Sequence, residues 1–215
     1  IGLQIRHKLI IRRYILLKKI FDLLATCIGG FIILPLFFLI YIIIRLSSKG
    51  PVIYSQLRCG FGGEMFKTYK FRTMIENADE KLKHYLSNNP DIKKEWDKNQ
   101  KLKHDPRVTL IGKFLRATSL DELPQLINVL KGEMSLVGPR PIVESEIQKY
   151  DKNYELYKRV KPGMTGLWQV SGRNNTTYKE RVEFDCYYVR NWSFSLDVYI
   201  LLRTIRVVLF RHGAY

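Results

Sequence analysis

Acidic residues are in short supply in this chain, and cysteine, histidine and recognisable reading motifs are scarcer still. Asp and Glu total 20 against 36 Lys and Arg, a formal charge of +16 over 215 residues. Such a surplus points to polyanionic partners: nucleic acid, phospholipid head groups or phosphorylated substrates. Three cysteines, Cys27, Cys59 and Cys186, have neither paired metal spacing nor a disulfide framework. They read as structural filler, and they place the polar part of the chain in a reducing, cytoplasmic environment. His7, His84, His104 and His212 are scattered, which excludes a zinc motif. Internal repeats and low-complexity segments are absent. No nucleic-acid reading motif occurs, and the basic residues surround an apolar anchor, so nucleic acid is set aside as a partner.

What the chain has in abundance is apolar sequence near its start. Arg6, Lys8, Arg12, Arg13, Lys18 and Lys19 stand among Leu, Ile and Tyr, a basic amphipathic entry to a membrane. From Leu23 to Ile44 no formal charge occurs. At 1.5 Å per residue such a helix crosses a hydrocarbon core of about 30 Å. A signal peptide is disfavoured, because the run is too long and no small-residue cleavage site follows. Basic residues flank both ends, with Arg45, Lys49 and Arg58 after it, whereas a spanning helix concentrates them on one side. Pro35, near the middle, removes a backbone hydrogen bond and can kink the helix so that it re-emerges where it entered. From the residues alone, spanning and re-entrant readings stand level, since proline is tolerated in true spans. The length suits one domain, or a domain plus an anchor, and Ile1 in place of Met suggests the tail of a longer protein.

Alternation over 52–56 and 65–71 predicts a β-hairpin joined by a glycine-rich turn over 58–64. Lys70 and Arg72, two residues apart on one strand face, could hold a diphosphate. Residues 76–103 are highly charged and read as exposed helices broken at Asn89-Pro90. Arg116 is a phosphate-clamp candidate with a surface-charge alternative of equal weight. Two loops present single arginines: Arg140 between Pro139 and Pro141, and Arg173 among small residues after Lys161-Pro162-Gly163. Ser195 to Arg211 is helical and strongly apolar, with Arg203 and Arg206 three apart, and fits the membrane interface.

The chain is organised around Ser119-Leu120-Asp121-Glu122-Leu123-Pro124-Gln125. Leu123, Leu126, Ile127 and Leu130 have helical spacing, which puts Asp121 and Glu122 at or just before a helix start. There the helix dipole favours an ionised Asp121, able to act as a nucleophile or metal ligand. The competing reading is a capping box from Ser119 to Glu122, which Pro124 complicates by removing a donor past the first turn.

Together, Lys70-Phe71-Arg72-Thr73-Met74, Ser119 to Gln125, Gly138-Pro139-Arg140-Pro141 and Lys161 to Gly166 resemble the bacterial sugar transferase family, the monotopic polyprenyl-phosphate phosphoglycosyl transferases. The likeness runs from about Lys18 to Tyr215. Residues 88–105, 168–174 and 213–215 look most like its galactose-transferring members. The resemblance implies an α+β, mainly helical fold: a re-entrant membrane helix broken at Pro35 (residues 1–47), then a cytoplasmic catalytic domain (48–215) with a small β-hairpin and interfacial amphipathic helices. The family break is commonly Ser-Pro, and here Leu34 precedes Pro35. It implies a catalytic dyad in which Asp121 attacks the β-phosphate of a UDP-sugar, leaving a phosphosugar on the aspartate for undecaprenyl phosphate to accept. Glu122 would bind Mg²⁺. Arg116 and Arg140, and less directly Lys70, Arg72 and Arg173, would contact phosphate. Other implied properties are residence in the bacterial inner membrane facing the cytoplasm, contact with membrane lipids, a homodimer, and a missing N-terminal block of membrane helices. The alternative from another class is a non-catalytic basic module binding anionic lipid at the membrane surface.

Overall fold

The computed structural model describes residues 9, 11–99, 102, 105–172 and 176–210. Arg173 and the terminal Gly213-Ala214-Tyr215 lie outside the described residues.

The fold is mainly helical with little sheet. Helix α1, Arg12–Ser47, contains the uncharged run and keeps Pro35 inside one helical element instead of between two helices. A proline removes one backbone bond and can bend a helix without ending it. One stripe of α1 faces protein: Lys18, Asp22 and Thr26 are buried near its start, Ile40 and Ile44 near its end. The opposite side is bare, with Phe31 79% and Ile32 71% exposed.

Strands β1 (Ile53–Cys59) and β2 (Met65–Phe71) pair antiparallel from Ile53 opposite Phe71 to Cys59 opposite Met65. The hairpin is as expected, but β1 runs three residues further than 52–56, so Arg58 belongs to the strand and not to the turn. Helices α2 (Ala78–Ser87) and α3 (Pro90–Asn99) break at Asn89-Pro90 as anticipated. Helix α4 spans Leu110–Thr118, α5 Gln125–Leu130. Gly132, at a φ of 76°, turns the chain out of α5.

A second, parallel pair was not foreseen. Strands β3 (Ser135–Val137) and β4 (Gly163–Thr165) align Ser135 with Gly163 and Val137 with Thr165. Three-residue strands have too little alternation to be read locally. Between them lie the short helices α6 (Ile147–Tyr150) and α7 (Tyr154–Tyr157). After them come α8 (Leu167–Ser171), α9 (Tyr178–Asn191) and α10 (Phe194–Phe210). A capping box of Thr177 with Glu180 starts α9.

Among the described residues the core has three apolar clusters. Ile40 and Ile44 of α1 pack with Val52, Phe71, Leu115 and Leu123. Cys59, Ile142, Tyr150, Tyr157 and Val182 form another, while Val137, Tyr188, Trp192 and Ile200 centre the third. Lys18 Nζ lies 2.6 Å from Asp197 Oδ2, which also accepts from Trp192 Nε1, while Asp197 Oδ1 accepts from the Tyr188 hydroxyl. Ser135 donates to Asp22 at 2.6 Å. Both ends of α1 therefore pack on one globular body.

Candidate functional site

The acidic pair sits on a turn made by two local signals. Thr109 caps the start of α4, its hydroxyl accepting from Gly112 N–H at 3.0 Å. Ser119 ends α4 in a left-handed conformation, φ 57°. A single 3₁₀ turn, Leu120–Glu122, follows, and Pro124 then stands at the N-cap of α5, where it costs no helical hydrogen bond. The expected capping box does not form: the Ser119 side chain makes no cap bond, and Glu122 is engaged by Lys70 instead. Both starting points weighed for the central helix, Ser119 and Asp121, precede its actual beginning at Gln125.

One buried residue that local patterns did not single out ties this turn to the hairpin. Asn128 of α5, fully buried, donates to Lys67 O at 2.7 Å and accepts from Tyr69 N–H at 3.1 Å. Lys70, one residue on, is thereby held over the acids. Its Nζ is 2.6 Å from Glu122 Oε1 and 3.9 Å from Asp121 Oδ2.

That difference separates the two carboxylates. Burial, and then the neighbouring Glu122, push Asp121 up to about 6 against the opposing pull of Lys70 and Arg116. Burial also disfavours a charged Glu122, but Lys70 and Arg140 outweigh it, so Glu122 is held below the usual range. The helix-dipole expectation for Asp121 is thus corrected: only 9% exposed and further from the lysine, it loses more to desolvation than the turn returns. Near pH 7 it is still mainly ionised and weakly held, which suits a nucleophile. Glu122, whose carboxylate Lys70 and Arg140 favour in its charged form, suits a metal. Among the described residues no third His, Cys, Asp or Glu joins them. Two adjoining carboxylates fit a hard divalent cation that takes its remaining ligands from substrate phosphate and water.

Arg140 is delivered by the β3–β4 pair. Gly163 N–H donates to Pro139 O at 2.8 Å and Gly138 N–H to Thr165 O at 2.9 Å. A Cβ on Gly163 would run into the backbone of Gly138, so this approach demands glycine. The Gly-Pro-Arg-Pro and Lys-Pro-Gly loops are therefore one structure. Arg140 emerges over the ring of Trp168, 5.5 Å from its centroid, and lines a cleft with Lys70, Glu122, Gln125, Gln169 and Arg58.

Arg116 approaches from α4. Its Nε donates to Thr73 Oγ1 at 2.9 Å, and its charge acts on Asp121. Arg72 goes elsewhere: its Nη2 donates to Ser48 O and Oγ, both at 2.8 Å, closing the end of α1. The chain turns away from the strand after Phe71, so sharing a face with Lys70 does not bring Arg72 into the cleft. The structure joins Asp121, Glu122, Lys70, Arg116 and Arg140. It adds Arg58, Gln125, Asn128 and Gln169, whose roles depend on contacts far away in sequence.

A sequence profile described as bacterial sugar transferase matches residues 13–211. The chain is 50% identical over 214 residues to a Salmonella typhimurium protein named undecaprenyl-phosphate galactose phosphotransferase, covering 99% of this chain and 44% of that one. It is 48% identical over 198 residues to the exopolysaccharide production protein ExoY of Rhizobium meliloti, covering 92% and 88% respectively. Identity is 38% over 208 residues with the UDP-glucose:undecaprenyl-phosphate glucose-1-phosphate transferase of Klebsiella pneumoniae, covering 92% and 41%. The chain thus spans less than half the length of the Salmonella and Klebsiella relatives.

Proposed function

The chain belongs to the bacterial sugar transferase family, and from that premise we propose that it transfers a sugar phosphate, galactose 1-phosphate, from a UDP-sugar to undecaprenyl phosphate, the first membrane step of exopolysaccharide, capsule or O-antigen assembly. The observation that carries this reading is the adjacent acidic pair under one ammonium group, Lys70 Nζ 2.6 Å from Glu122 and 3.9 Å from Asp121, with Arg116 and Arg140 beside it. The galactose choice leans on the name and 50% identity of the Salmonella relative.

In the first step an Asp121 oxygen attacks the β-phosphorus of the donor. The bond from that phosphorus to the bridging oxygen breaks, and UMP leaves with the electron pair. In the second, an oxygen of undecaprenyl phosphate attacks the same phosphorus and displaces the Asp121 carboxylate, giving undecaprenyl-diphosphate-galactose. Splitting transfer between two polyanions in this way lets each meet the same cations in turn. Lys70, 2.6 Å from Glu122 and 3.9 Å from Asp121, favours the charged form of Glu122 and adds positive charge beside the attacking carboxylate. Arg116 and Arg140 approach the dyad from different elements and offset charge on the phosphates. Mg²⁺, for which Glu122 is the ligand with Asp121 beside it, would neutralise diphosphate charge.

Residence at the bacterial inner membrane, with the dyad on the cytoplasmic side, is part of the same reading. A spanning α1 would put Lys18 and Ile44 on opposite sides of the bilayer, yet both are buried on one body. That favours a helix that enters and leaves by one face, with Phe31 and Ile32 deepest.

The test is a membrane-fraction assay with UDP-galactose and UDP-glucose in parallel, each with Mg²⁺ and undecaprenyl phosphate. Wild type should form lipid-linked galactose faster than lipid-linked glucose. Asp121→Asn should lose at least about 1,000-fold in rate while remaining folded and membrane-bound. Near wild-type turnover by that variant would refute Asp121 as the nucleophile.

A further inference from the structure

Beside the dyad lies a second charged group that local sequence patterns did not reveal. Arg58 and Arg181 share the Glu146 carboxylate there, and Arg140 stands close enough to repel Arg58, with the buried carboxylate of Asp185 acting on Arg140 and Arg181 from behind. Glu146 is 3.8 Å from Arg58 Nη1 and 3.4 Å from Arg181 Nη1, so two guanidinium groups share it. Arg140 has no ion pair among the described residues and rests on Trp168, whose ring Arg181 also meets at 4.8 Å. Arg181, only 8% exposed, keeps Nε and Nη2 buried without a hydrogen-bond partner. Arg58 is locked in place by donating to Pro141 O at 3.2 Å and Gln56 Oε1 at 2.8 Å. Burial and the repulsion of Arg140 weaken its hold on its proton, with Glu146 only partly compensating.

Three guanidinium groups here face two carboxylates, Glu146 and Asp185, and the buried Nε and Nη2 of Arg181 stay unsatisfied, an arrangement that a bound anion would stabilise. Glu122 also acts on Arg140 and Arg58, but its closest partner is Lys70, 2.6 Å away. That leaves room in the cleft for an anionic ligand.

Two anions approach this centre under the reaction proposed above, and the packing tells their sides apart. Arg116 stands on α4, whose Leu115 packs with Ile40 and Ile44 of the apolar helix, the side a lipid-borne phosphate would use. Arg58 adjoins Cys59, whose cluster of buried residues includes none from α1. We propose that Arg58 and Arg140 seat the α-phosphate of the nucleotide, the group that leaves as UMP, with Arg181 and Glu146 as positioning residues behind them. A guanidinium fork held at both ends suits a phosphate that must be gripped before and after the bridging bond breaks. The assignment rests on the chain being a UDP-sugar transferase, and it adds a directional claim: nucleotide on the Arg58 side, lipid on the Arg116 side.

The test uses the full chain in membranes or detergent, with UMP and uridine as probes in titration calorimetry and as inhibitors in the transfer assay. Arg58→Gln should weaken UMP binding about 10- to 100-fold, leave uridine binding unchanged, and shift KM for undecaprenyl phosphate less than about twofold. Arg58→Lys, which keeps the charge but not the fork, should weaken UMP about 3- to 10-fold and serves if the glutamine variant fails to fold. UMP affinity within twofold of wild type in both variants would overturn the proposal, as would a loss falling on undecaprenyl phosphate instead. If wild type transfers no sugar phosphate but binds UMP through Arg58, the reaction assignment fails and the phosphate seat stands.

Discussion

At the scale of single residues, the position of one ammonium group decides which carboxylate does what. Lys70 is 1.3 Å closer to Glu122 than to Asp121, the difference between 3.9 and 2.6 Å. In a partly desolvated site that distance is enough to push the two acids apart in affinity for a proton. Under the proposed mechanism Asp121 attacks in its ionised form, so kcat/KM should fall as pH drops through about 6, the value to which burial and Glu122 raise it. Lys70 opposes that rise. Lys70→Gln should therefore move the acid limb to higher pH, by about one unit, besides lowering the rate at every pH. An unmoved acid limb would mean that it reports some group other than the dyad. The separation was not legible locally, because adjacent Asp and Glu are equivalent until a partner from another strand favours one of them.

At the scale of elements, the site is an assembly of short pieces joined by close backbone approaches. β3 and β4 carry Arg140 into the cleft, and their contact leaves no room for a side chain at Gly163. Gly163→Ala should destabilise the fold by about 1–3 kcal/mol and lower transfer more than stability alone predicts, since Arg140 moves with the strand. Gly29→Ala is the matched control, because a Cβ there meets nothing within 4 Å. It should be neutral or stabilising by up to about 1 kcal/mol in thermal melts. Equal effects from both substitutions would show that the strand contact does not set the geometry. The motifs around these glycines were visible in the sequence. Their contact with each other was not, because 25 residues separate Gly138 from Gly163 and no local pattern carries that pairing.

At the scale of the whole molecule, the chain combines a charge of +16 with a bare helix long and apolar enough to cross a membrane, two features that each favour binding to a lipid surface. Their contributions respond differently to salt: head-group attraction is screened within about 8 Å at physiological ionic strength, whereas burial of apolar surface is not. Washing membranes with 1 M NaCl, at which the Debye length is about 3 Å, should leave this chain in the pellet. Release by salt alone would favour the basic surface module over an inserted α1. The sequence by itself determined the uncharged helix and the hairpin, since composition, period and turn residues act over a few neighbours, and it offered the acidic pair and the arginines at 116 and 140 as candidates whose roles came from the family resemblance. Tertiary structure alone decided that Arg72 closes α1 and stays out of the cleft, that Arg58 and Arg181 gather around Glu146, and that Asp121 and Glu122 differ. The physical reason is the same in each case: burial and charge at a site are sums over elements distant in the chain, and only folding places those elements within a few ångströms of one another.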